Sequence, residues 1–114
     1  MTNDKLFLLK HDFLDNGERY YCPECVQLHG VLNLYPALQD KLEVCYVDFP
    51  RPRSEIISEI GEQNQGCPVL IVGSSNAEAL KDLKVGQANG REFISGAEQI
   101  GLYLAKAYGI GKPH

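Results

Sequence analysis

"GCPVLIVG", residues 66–73, restricts the possible folds of this chain more than any other stretch. Val69, Leu70, Ile71 and Val72 are apolar in succession, so a strand built from them has no polar face to turn to water. Such a strand belongs inside a sheet covered on both sides, the habit of α/β proteins. The chain must supply flanking strands and covering helices from 114 residues. That length predicts one domain, 1–114, with a core large enough to stand without disulfide staples.

The rest of the sequence offers those elements in order. "KLFLLKH" (5–11) is a short apolar strand, followed by a polar loop, "DFLDNGERYY", with a turn signal at Asn16-Gly17. Leu28, Val31, Leu32, Tyr35 and Leu38 then recur at helical spacing. Cys22 stands at the cap of that helix and Pro23 at its first position, while Pro36 should reset its last turn. "LEVCYVDF" (42–49) predicts a strand closed by "PRPR". "SEIISEIGEQN" (54–64) predicts a helix capped by Ser54, with Ile56, Ile57 and Ile60 on its apolar face. "SSNAEALKDLKV" suggests a short helix, and "NGREFIS" (89–95) a turn and a last strand. "GAEQIGLYLAKAYG" (96–109) is an amphipathic helix stopped by Gly109. The expected order is β-α-β-α-β-β-α around a small mixed sheet, its first crossover parallel and right-handed.

Composition excludes more than it assigns. Apolar residues are 44% of the chain, charged residues 23%, and the net charge is −4, as in an ordinary globular domain. "RPR" at 51–53 is the only local basic feature, which argues against nucleic acid as a partner. "LFLL" at 6–9 is too short for a membrane span or a secretory segment, so the expected setting is cytoplasmic and away from membranes. In a reducing compartment, four cysteines are not a disulfide framework. A C-x-x-C pair there points to redox chemistry or to metal.

That pair is "CPEC", Cys22 to Cys25, at the mouth of the first helix. Together with "GCPVLIV" before the third strand and "REFISGAEQIGLYL" at the last helix, it resembles the thioredoxin/glutaredoxin superfamily. "FLLKHDF", "YYCPEC", "VDFPRPRSEII" and "GEQNQGCPVLIV" also resemble a bacterial thioredoxin-like family of uncharacterised function. The resemblance implies a thioredoxin-like fold and thiol-disulfide exchange with protein or glutathione mixed disulfides, with no dissociable cofactor. A thiol at a helix N-terminus meets unpaired N–H groups and the positive end of the dipole, both of which favour the thiolate. Cys22 is thus the expected nucleophile and Cys25, one turn deeper, the resolving thiol. Glu24 should oppose the thiolate, and Arg19 could partly offset it.

The same resemblance implies a cis Pro68 beside the active-site turn, with the Cys67 backbone pairing with a bound peptide or glutathione. Ser95, Gly96 and Glu98 in "ISGAEQ" partly match a turn whose helix N–H groups hold a glutathione carboxylate. Tyr20 and Tyr21 are candidates for the wall of a peptide groove.

Two rival readings use the same residues. Cys22, Cys25, His29 and Cys67 have the ligand types of a tetrahedral zinc site, giving a zinc-stabilised variant. Alternatively the fold serves as a non-catalytic binding module and the cysteines only pack. Cys45, inside the second strand, is expected in the core, and His11 and Asp12 to begin a surface loop.

Overall fold

The computed structural model describes residues 3–114. The first strand, β1 (Asp4–Leu9), is buried along nearly its whole length, as its apolar sequence requires. A tight hairpin follows, β2 (Phe13–Asp15) and β3 (Glu18–Tyr20). Asn16 and Gly17 turn it with φ of 53° and 80°, the left-handed conformations that Asn-Gly hairpins use. The sequence predicted the turn but not its strands, since three-residue arms of exposed or half-exposed residues carry no detectable alternation.

The first helix, α1 (Pro23–Leu34), begins as expected, with Cys22 at its cap and Pro23 at its first position. It ends earlier than the apolar spacing suggested. Tyr35 already lies outside the helical region, with φ and ψ of −124° and 70°, and Leu38 belongs to a separate one-turn helix, α2 (Leu38–Lys41). Pro36 accounts for the break: a residue before proline is pushed out of the helical region, and that residue is Tyr35.

Strand β4 (Leu42–Val47) leads to α3 (Ser54–Ile60), then β5 (Val69–Ile71), the short α4 (Ala77–Leu80), the hairpin β6 (Gly86–Ala88) and β7 (Arg91–Ser95), and finally α5 (Ala97–Tyr108). Ser54 is the first residue of α3 rather than its cap, a position held by Arg53 without a side-chain cap bond. Gly61, at φ 86°, ends α3 before the predicted limit of residue 64. Gly109, in the left-handed region, ends α5 where predicted.

The five-stranded sheet runs β4-β1-β5-β7-β6. β4 lies parallel to β1, as expected, while β5 and β7 return antiparallel. β5, the strand of "VLI", is at the centre with Val69, Leu70 and Ile71 all buried. Cys45 is partly buried on β4 rather than central, because β4 is an edge strand.

The helices lie on both faces. Asp4 Oδ2 accepts hydrogen bonds from Tyr103 and Tyr108 of α5 at 2.6 and 2.8 Å, whereas Lys5 pairs with Glu59 of α3 at 2.7 Å. Successive strand residues point to opposite faces, so α5 and α3 cover opposite sides of β1. The described chain is a mixed α/β protein. No described helix is long and apolar enough to cross a membrane.

Candidate functional site

The site is assembled where α1, α5 and the turn before β5 converge. Cys22 is partly exposed at the α1 cap, and its Sγ accepts the Cys25 N–H at 3.2 Å. Pro23 at the next position withholds one competing N–H from that first turn. Cys25 is 1% exposed, and its Sγ accepts the Leu9 N–H at 3.5 Å from the end of β1. Burial, with the hydrogen bond to Cys22 next, pushes the Cys25 thiol up to about 12. Cys22 is the partly exposed member of the pair, and Cys25, buried, stays protonated at neutral pH. Both thiols are free.

Glu24, between them, does something the sequence did not reveal. Its Oε1 accepts the Ala97 N–H at 2.9 Å and so caps the N-terminus of α5 from another helix. A carboxylate belongs at that positive end. The amide that "ISGAEQ" was expected to offer to a glutathione carboxylate is therefore engaged by the chain's own Glu24. Gly96, at φ 88°, makes the entry to α5, and its N–H donates to Pro68 O at 3.1 Å. Pro68 is buried and the Cys67–Pro68 peptide is cis. Ser95, exposed, pairs in register with Val69 just beyond that turn.

Cys67 is partly buried, and burial pushes its thiol up to about 11, while the positive charge of Arg53 pulls the other way. Arg53 is the principal residue that sequence reasoning missed. In sequence "RPR" reads only as a local basic feature closing a strand, yet Arg53 is buried, 6% exposed. Its Nε and Nη2 donate to Phe49 O at 3.0 and 2.7 Å, and its Nη1 to Gln65 O at 2.7 Å. Gln65 Oε1 in turn accepts the Arg53 N–H at 2.8 Å. No spacing rule marks which arginine of such a run turns inward.

Other candidates fall elsewhere. His29 stacks on Tyr46 with ring centroids 5.5 Å apart and lines an open hollow with Lys10 and His11. The four residues expected as an alternative zinc set, Cys22, Cys25, His29 and Cys67, are not assembled. Among the described residues no group of three or more such ligands could hold a metal ion. Four residues after Cys25, the His29 ring is directed to β4 rather than back to the helix mouth. Tyr21 is 60% exposed and Tyr20 43%, beside the pair on the β3 side. Phe13 stacks on Phe49 at 4.3 Å and on Tyr20 at 6.1 Å, fixing the hairpin next to Cys22. Arg19 is exposed on β3, and His11 and Asp12 are exposed where the loop begins.

A mixed α/β protein with two thiols on the N-terminus of its first helix is the class that fold and site define. The chain belongs to the family described as "Protein of unknown function (DUF3088)", whose profile matches residues 3–112. No curated protein and no solved structure matches it.

Proposed function

We propose that this protein is a thiol-disulfide oxidoreductase of thioredoxin-like fold, with Cys22 as nucleophile and Cys25 as resolving thiol. The observation that carries the reading is the Cys25 N–H donating to Cys22 Sγ at 3.2 Å while Cys25 itself is buried. The amide is already in place for the thiolate, the species that attacks a disulfide. Attack by Cys22 on a substrate disulfide yields a mixed disulfide and releases one substrate thiol. Attack by Cys25 then forms Cys22–Cys25 and releases the second thiol, so two electrons pass to the substrate.

The fold supports the same reading. A parallel β1-α1-β4 unit followed by antiparallel β5 and β7, with a helix after the last of these, is the arrangement expected for such a fold. The rim favours a protein disulfide over a small one: Tyr20 and Tyr21, just before the Cys22 cap, and Val26, early in α1, are exposed. Aromatic side chains there would bury against a partner segment.

The test is a redox titration in graded thiol-disulfide buffers, trapped by alkylation and read as intact mass. A single two-thiol transition mapped to Cys22 and Cys25, at roughly −120 to −270 mV, is expected. All four thiols alkylatable in every buffer would sink the proposal and favour a binding module.

A further inference from the structure

Cys67 is the sulfur that the two-thiol cycle leaves unused, and three observations bring it into the site. The first is positional. Gly96 N–H donates to Pro68 O and the next amide, Ala97 N–H, donates to Glu24, so two consecutive amides tie the Cys67–Pro68 turn and the first turn of α1 to one point. The second is electrostatic: burial is the main cause that raises both thiols, and beside it negative charge on Cys22 adds to the rise of Cys67, and negative charge on Cys67 to that of Cys25. The third is Arg53. This buried cation has no carboxylate within ion-pair distance among the described residues, and its guanidinium is partnered by carbonyl oxygens. A buried charge left without an opposite charge is unfavourable. Cys67 is a group that can answer it, and only as a thiolate does it carry the matching charge.

We infer that Cys67 is a second resolving thiol, which opens mixed disulfides on Cys22 in competition with Cys25 and leaves a Cys22–Cys67 disulfide. The inference rests on the oxidoreductase reading. The Cys67 sulfur attacks the Cys22 sulfur, the bond between Cys22 and the substrate breaks, and the substrate thiolate departs with the proton that Cys67 gave up. Counting the first attack, one substrate disulfide becomes two thiols while Cys22 and Cys67 are oxidised together. Arg53 acts here as a positioning residue, holding negative charge on Cys67 as it attacks. Burial disfavours the charged form of Cys67 and of Cys25 alike, and Cys67 alone of the two has the cation to oppose it. The product would tie α1 to the turn before β5, closing the edge at which the Cys67 backbone was expected to meet a partner.

The experiment removes the first resolving thiol. Cys25→Ala, which keeps the buried position apolar, and Cys25→Ser are each treated with hydroxyethyl disulfide, quenched with an alkylating reagent and analysed by intact mass and peptide mapping. The expected result is loss of the hydroxyethyl adduct with appearance of a Cys22–Cys67 linked peptide, and a stable Cys22 adduct in Cys25→Ala/Cys67→Ser. A Cys22 adduct as long-lived in Cys25→Ala as in the double variant overturns the role of Cys67 and leaves the oxidoreductase reading standing. A linkage of Cys22 to Cys45 does the same. Failure of Cys22 to take any adduct in any variant overturns both.

Discussion

Glu24 shows how a side chain's effect depends on what it meets. Beside two thiols, a free carboxylate would oppose negative charge on sulfur; bonded to Ala97 N–H, it faces the positive end of α5 instead. Replacing it with alanine takes away the cap of a twelve-residue helix, and Glu24→Ala should lower unfolding free energy by about 1 kcal/mol in urea titration. Glu24→Gln, which can still accept from that N–H, should recover most of the loss. The thiols yield a second prediction. With folded values raised to about 12 for Cys25 and about 11 for Cys67, their thiolates are scarce at neutral pH. Iodoacetamide should modify Cys22 first at neutral pH, and the rates at Cys25 and Cys67 should climb about tenfold per pH unit until those values are approached. Equal rates at pH 7 would contradict the buried placement of Cys25. The residues of this site differ in how readable they were. Cys22, Pro23 and Cys25 follow from local chemistry, because a helix start is a local event. Glu24 finds its partner 73 residues away, and the inward turn of Arg53 depends on carbonyls of Phe49 and Gln65, so neither could be read from its neighbours.

At the scale of elements, length and burial decided what could be read. β1, β5 and α5 are long or apolar enough to announce themselves, and Gly109 supplies the stop for α5. β2, β3 and β6 have three residues each and exposed or half-exposed side chains, so no period exists in them to detect. Their pairing is set by turns and by what they lean on. β6 leans on Phe93: a Cβ placed on Gly86 would run into the Phe93 ring, which β7 presents directly opposite. Gly86→Ala should therefore cost about 1–3 kcal/mol in denaturant unfolding through overpacking. Arg53 performs the corresponding service for the loop between β4 and β5, joining Phe49, at the exit of β4, to Gln65. Arg53→Met removes three hydrogen bonds and leaves the part-buried carbonyl oxygens of Phe49 and Gln65 without their donor, with an expected loss of about 1–3 kcal/mol. A variant as stable as the parent would mean that solvent already reaches those carbonyls.

Across the whole molecule, the end opposite the thiols is fastened by a carboxylate. Asp4, 6% exposed, accepts from Gly73 N–H at 2.7 Å on one oxygen and from the hydroxyls of Tyr103 and Tyr108 on the other. The tyrosines lie 99 and 104 residues downstream, so the contact joins the first strand to the last helix and is lost only when that helix leaves the sheet. Three donors converge on Asp4, and an amide has one oxygen to offer them. Asp4→Asn would leave a donor facing a donor, and about 2–3 kcal/mol of stability should go with it. The alkaline limb of the stability curve carries the same network. Burial, then the hydrogen bond to Asp4, raises both tyrosine hydroxyls above their ordinary value of 10.0. In the unfolded chain the tyrosines return to that ordinary value. The stabilisation from keeping them protonated is thus complete below pH ~10 and is lost as pH rises from there toward the raised folded values. Each tyrosine adds a slope of about 1.4 kcal/mol per pH unit in that window, because the unfolded chain alone releases its proton there. Urea titrations between pH 9 and pH 12 should show that fall in the parent protein and a shallower one in Tyr103→Phe/Tyr108→Phe. An equally steep fall in the double variant would assign the alkaline limb to other groups, and would reduce Asp4 from the fastening of α5 to a local contact.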